Sequence, residues 1–167
     1  MTPEPRAEIP AEVVVETALL DEIRKAAAAA YPNEGCGALL GRRDGKPTVT
    51  ATIPLPNVEE GTPRVRFSIS PRHYMDVERE AERRGLELLG FWHSHPDHPA
   101  RPSATDREFA WEGLLTLIVS VHDGEPRDVG VFQVPRAGAP FAAMRIFERS
   151  RAVGADDPAS ESTPGGF

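Results

Sequence analysis

The sequence predicts a single mixed α/β domain of the α+β kind, one sheet flanked by about three helices. Three observations carry that expectation. Segments with apolar residues at helical spacing interleave with segments that alternate or run apolar. One run, Leu114-Leu115-Thr116-Leu117-Ile118-Val119, is continuous enough to be a central strand buried on both faces. The length, 167 residues, suits one domain that can bury a real core.

In chain order, residues 1–11 read as a loose arm and residues 12–150 as the domain. Leu19, Leu20, Ile23, Ala27 and Tyr31 recur at helical spacing, with Thr17 as the cap and Pro32 as the stop. Ala38 to Gly41 reads as a strand, turned by Asp44-Gly45 into a second strand from Thr48 to Ile53. Pro54, Pro56, Asn57 and Gly61-Thr62-Pro63 mark a loop, and the alternation of Val65, Phe67 and Ile69 predicts a half-buried strand. Ser70-Pro71 opens a helix with Tyr74, Val77 and Ala81 as its apolar stripe, and Gly85 ends it. Leu86 to Trp92 predicts the next strand, and a short helix is expected from Ala104 to about Trp111. After the central run, Asp123-Gly124 turns toward Val129–Phe132, and Phe141 to Phe147 reads as a last strand. Residues 151–167 are rich in Ser, Pro, Gly and acidic residues and read as a disordered tail. The terminal Gly165-Gly166-Phe167 belongs to that tail and reads as tail or expression remnant.

The composition excludes several function classes. A net charge of -7 argues against an electrostatic nucleic-acid binder. No apolar run approaches membrane-spanning length, and no signal-peptide h-region is visible near Met1. A single cysteine, Cys36, excludes a disulfide framework and fits a reducing, cytoplasmic setting.

The chemistry concentrates in Gly90-Phe91-Trp92-His93-Ser94-His95-Pro96 and in Pro102-Ser103-Ala104-Thr105-Asp106. In a strand, positions i and i+2 share a face, so His93 and His95 can reach one ion together. Asp106, on the first turn of the short helix, supplies a third N/O ligand. Three protein ligands with an open fourth position is the pattern of a catalytic zinc. Ser103-x-x-Asp106 also reads as a capping box with a shorter acid, and both roles can hold together. Cupins and amidohydrolase barrels fit poorly, the first for lack of a glutamate soon after His95, the second on length. A zinc hydrolase also needs a carboxylate base that is not a ligand. Glu34, between the Pro32 stop and Gly35-Cys36-Gly37, is a candidate, although a glutamate at a helix end by itself reads as solvated surface. Cys36 reads as a small buried hydrophobe, while His73, His98 and His122 read as surface.

Taken together, Pro32-x-Glu34-x-x-Gly37-x-Leu39-x-Gly41, His93-x-His95-Pro96, Ser103 and Asp106 resemble the JAMM (MPN+) metalloprotease pattern, and Gly90–Pro96 with Ala100-Arg101-Pro102-Ser103 is close to its small prokaryotic Mec-type branch. The resemblance runs from about residue 15 to 147. It implies an MPN domain with a cytidine-deaminase-like mixed sheet, Zn2+ on His93, His95 and Asp106, Glu34 as general base and acid, and Ser103 as a stabiliser of the oxyanion. It further implies hydrolysis of the bond after the C-terminal Gly-Gly of a ubiquitin-like or sulfur-carrier protein, in sulfur transfer or cysteine biosynthesis. The Asp106–Leu114 connection is too short for the insertion with which eukaryotic deubiquitinases grip ubiquitin. Two other readings are a non-catalytic MPN scaffold, whose usual mark is loss of these residues, and a deubiquitinase-like protease acting on other ubiquitin-like conjugates. Oligomeric state has no sequence signature here.

Overall fold

The computed structural model describes residues 11–108 and 110–150. In chain order the elements are β1 (Glu12–Glu16), α1 (Thr17–Ala30), β2 (Cys36–Arg42), β3 (Thr48–Leu55), α2 (Pro71–Arg83), β4 (Glu87–Pro96), α3 (Ala104–Glu108), β5 (Leu115–His122), β6 (Glu125–Gln133) and β7 (Ala142–Arg149). The strands form one mixed sheet in the order β1-β3-β2-β4-β5-β6-β7, which closes into a barrel where β1 pairs in parallel with β7. This is the mixed α/β class the sequence predicts. The expected arm and tail, apart from Ala11, lie outside the described residues.

Helix α1 buries Leu19, Leu20, Ile23 and Ala27 against Val13 and Val15 of β1, Leu39 of β2, and Leu117, Val119 and Val121 of β5. Each such aliphatic side chain removed from water stabilises by roughly 1.5–3 kcal/mol. On the opposite face of β2, Ala38 and Leu40 pack with Val77 and Ala81 of α2. β2 is therefore covered on both sides, while β5 gives Leu115, Leu117, Val119 and Val121, all on one face, to the α1 cluster. Ser70 caps α2 as expected, its Oγ accepting the His73 N–H at 3.1 Å with Pro71 at the first helical position. The β5–β6 hairpin turns on Asp123 and Gly124, both at positive φ (50° and 82°), the signature of a tight two-residue turn that matches strand twist.

Four expectations need correction. Residues 12–16 form a strand, and Thr17 is the first residue of α1 rather than its cap: Glu16 stands at the cap position and makes no side-chain cap bond. Val65, Phe67 and Ile69 are not in a strand: the Val65 and Arg66 N–H groups turn back to the Thr62 carbonyl at 3.1 and 3.0 Å, and their alternation serves a cavity wall instead. The short helix α3 ends at Glu108. Strand β4 continues through both histidines to Pro96.

That continuation rests on a close parallel pairing in which Gly90 faces Leu115, His93 faces Ile118 and His95 faces Ser120. A Cβ on Gly90 would lie 2.0 Å from the Leu115 carbonyl oxygen and 2.6 Å from its nitrogen, both backbone atoms that cannot move aside. Gly90→Ala is therefore expected to destabilise the protein by about 1–3 kcal/mol or more through overpacking. Urea unfolding checks it; an unchanged midpoint would contradict the pairing.

Candidate metal centre

Because Phe91, His93 and His95 sit at alternate positions of β4, their rings project from one face. The two imidazoles meet there, His93 Nε2 lying 3.2 Å from His95 Nε2. His93 is buried, and its ring stacks on Phe67 with centroids 4.5 Å apart. Its Nδ1 is buried without a hydrogen-bond partner among the described residues. His95 Nδ1 lies 2.8 Å from the Pro99 carbonyl, an oxygen that only accepts, so the hydrogen sits on Nδ1 and the neutral ring turns the Nε2 lone pair inward.

Asp106 comes from α3. Its Oδ2 accepts the Ser103 N–H at 2.8 Å while its own N–H donates to Ser103 Oγ at 3.0 Å, a reciprocal capping box. The box aims the carboxylate at the histidines, with Oδ1 3.1 Å from His93 Nε2 and Oδ2 3.1 Å from His95 Nε2. Three lone-pair donors thus face one another at 3.1–3.2 Å. Such a set needs a hydrogen or a cation among its atoms, either an imidazole Nε2–H donating to the Asp106 carboxylate or a metal ion. Tetrahedral bonds of 2.0–2.1 Å place ligand atoms about 3.3–3.4 Å apart, so the donor set fits a small divalent ion of the zinc type.

Glu34 reaches the same point from the α1–β2 connection. Gly35 and Ser94 hold that connection against β4: the Gly35 N–H donates to Ser94 Oγ at 2.8 Å and the Ser94 N–H to the Gly35 carbonyl at 3.0 Å. Glu34 is 5% exposed, its Oε1 is 3.9 Å from His95 Nε2, and the ligand atoms of Glu34, His93 and His95 fall within 4.8 Å of one another. The solvated reading of this glutamate is therefore wrong. Asp106 lies closer to the pair than Glu34 does.

The electrostatics separate the two carboxylates. Burial pushes Glu34 up to about 8, with His95 opposing and Asp106 reinforcing. Burial also works against ionised Asp106, but the hydrogen bonds from His93, His95 and the Ser103 N–H outweigh it and hold that acid far below the usual range. For His93 burial dominates over Asp106 and lowers the pKa, while for His95 burial is outweighed by Asp106, the Pro99 carbonyl and Glu34, which raise it. One carboxylate is thus a permanent anion and the other is tuned near neutrality, the division of labour that acid–base chemistry needs.

The remaining sequence candidates separate cleanly. Ser103 is exposed at the rim, His98 is exposed, and His73 and His122 are half-buried away from the cluster. Cys36 is buried, donates to the Leu55 carbonyl at 3.6 Å, and has its thiol pushed up to about 12 by burial and by Glu34. This is the inert small hydrophobe its sequence context suggests.

Sequence reasoning missed Asn57, read only as a loop marker. Its Nδ2 donates to the Glu34 carbonyl at 3.0 Å and to the Arg66 carbonyl at 2.9 Å, while its Oδ1 accepts the Glu59 and Ser68 N–H groups at 3.0 and 3.1 Å. One amide therefore fastens the Glu34 backbone to the loop that carries Phe67. An Asn between prolines is a turn signal, and nothing local says which distant carbonyl it will hold. Asn57→Ala leaves four backbone groups without their partner and is expected to cost about 1–3 kcal/mol. Guanidinium unfolding reads this directly, and an unaltered midpoint would count against the tethering role.

Comparison with known proteins identifies the chain's relatives. Residues 16–133 match the family described as prokaryotic homologs of the JAB domain. The chain is 42% identical over 103 residues to a desampylase of Haloferax volcanii, covering 61% of this chain and 73% of that one. It is 39% identical over 98 residues to a probable TtuB-protein conjugate cleaving protease of Thermus thermophilus, covering 58% and 63%. With a CD-NTase/cGAS isopeptidase of Vibrio cholerae the identity is 36% over 100 residues, covering 54% and 64%. The match thus spans less than two thirds of the last two relatives. Among solved structures, a protein from Desulfitobacterium hafniense superposes with a TM-score of 0.73 at 32% identity, covering 83% of this chain and 94% of that one.

Proposed function

Because the chain belongs to the JAMM (MPN+) family, in its prokaryotic JAB-domain branch, we propose that it is a zinc-dependent peptidase or isopeptidase. Its substrate in this reading is a ubiquitin-like or sulfur-carrier protein, cut after the C-terminal Gly-Gly, with a place in sulfur transfer or cysteine biosynthesis in the cytoplasm. Residues 12–150 are assigned as the catalytic domain. The observation that carries the reading is the convergence of His93, His95, Asp106 and buried Glu34 at one point. Relatives named for cleaving TtuB–protein conjugates and as an isopeptidase support the substrate class.

In this reading His93, His95 and Asp106 hold Zn2+. A bound ion would supply Lewis acidity toward a water and toward the scissile carbonyl. Glu34 stays out of the ligand set: its carboxylate takes the proton of the attacking water and hands it to the departing amine nitrogen. A pKa raised toward neutrality suits a group that must both accept and release a proton. The Ser103 oxygen accepts from the Asp106 N–H, which leaves its hydroxyl hydrogen free to donate to the developing oxyanion. One such donor is worth about 3 kcal/mol. Phe67, stacked on His93, covers one face of that ring.

Incubating the purified protein with a Gly-Gly carrier extended by a short peptide, followed by mass spectrometry, tests the proposal. A single cut after the second glycine is expected. A carrier that binds and stays whole would mark the protein as a scaffold.

A further inference from the structure

Beside the metal centre lies a cavity of about 580 Å³ whose walls include Phe67, Ile69, Tyr74, Met75, Phe91 and Trp111, and which reaches Glu34, His93 and Asp106 at its inner end. Three of the aromatic rings pack on one another as one wall of it. Trp111 meets Tyr74 edge-on at 5.4 Å and Phe91 edge-on at 6.2 Å, and Tyr74 lies 5.8 Å from Phe91. Although they line this cavity, Trp111 is 56% and Met75 50% exposed. Large apolar side chains left open around a concave wall mark a site that something apolar covers. Glu34 also opens on a second cavity, of about 570 Å³, whose lining mixes Arg64, Arg101 and Ser103 with Val65, Pro96, Pro99 and Pro102.

The aromatic wall stands in a fixed relation to the chemistry. Phe91 precedes His93 by two residues on the same face of β4, about 6.6 Å along the strand. An extended tail advances at the same pitch, so two glycines also span about 6.6 Å. With the cleaved bond at Glu34, the glycines pass from His93 toward Phe91, and the next residue upstream arrives at Trp111, Tyr74 and Met75.

We infer that this cavity binds the large apolar side chain that immediately precedes the terminal glycines of the substrate, so that an apolar residue followed by Gly-Gly is read rather than Gly-Gly alone. The leaving side then faces the second cavity, where Arg64 and Arg101 stand. The inference rests on the proposed function for the placement of the cleaved bond.

Binding tests it apart from turnover. Zinc-loaded, full-length Glu34→Gln protein is titrated calorimetrically with peptides Ala-X-Gly-Gly-Ala, X being Leu, Phe, Ala or Asp. Leu and Phe are expected to bind at least about tenfold more tightly than Ala or Asp, the scale on which an apolar pocket discriminates by size. Trp111→Ala, and independently Met75→Ala on α2, should bring the Leu affinity toward that of Ala. Equal affinities across X would overturn the inference, as would a preference that appears only for the residue after the glycines. Dependence on X without cleavage of any Gly-Gly carrier by the wild-type protein would leave the subsite standing and remove the hydrolase reading.

Discussion

Glu34→Gln is expected to lower turnover of a Gly-Gly-extended carrier by about a hundredfold to ten-thousandfold, the range lost with a general acid–base group. The amide keeps the size of the side chain and cannot take a proton from water. Fold and metal content should survive, because Glu34 lies 3.9 Å from His95 Nε2 whereas Asp106 lies 3.1 Å from both rings. The same substitution has an opposite effect on stability that isolates its cause. Burial raises Glu34 to about 8 from an ordinary 4.5, so folding favours the protonated acid. The metal-free wild type should then lose stability as pH rises from 4.5 through about 8, by a few kcal/mol at most, since the ionised form is disfavoured only in the folded state. Metal-free Glu34→Gln lacks that slope and should melt higher at pH 8 but alike at pH 4.5. Parallel melting curves at both pH values would show that the carboxyl is not desolvated.

Asp106→Asn is the second large effect expected, a loss of zinc affinity of at least about a hundredfold. The substitution keeps an oxygen that can accept the Ser103 N–H, so the start of α3 should persist. What disappears is the negative charge between two imidazoles and one of three donors. Competition with a fluorescent chelator reads the affinity, and circular dichroism checks the fold. Unchanged zinc binding would move the third ligand to Glu34, whose ligand atom also lies within 4.8 Å of those of the histidines.

The histidine pair was legible because strand periodicity is a local property: spacing alone puts His93 and His95 on one face. Asp106 was legible for a related reason, since Ser103-x-x-Asp106 is a local capping signal whose geometry also aims the acid. Glu34 was not legible from its neighbours. Its backbone is held by Asn57 and Pro63 and that of Gly35 by Ser94, all distant in sequence, and only the family pattern pointed to it. The alternation at Val65, Phe67 and Ile69 correctly signalled half-burial but not its partner, a cavity rather than a neighbouring strand. Barrel closure was invisible for the same reason. β1 offers three valines between glutamates, and its parallel partner β7 begins at Ala142.

Zinc titration of the metal-free protein, with cleavage of a Gly-Gly carrier as the readout, is the decisive measurement. Activity should be absent before zinc is added, rise in proportion to it, and saturate at about one equivalent per chain, as a single three-ligand site requires. Full activity in the metal-free protein, or activity that zinc does not restore, would contradict a hydrolytic metal centre built on His93, His95 and Asp106.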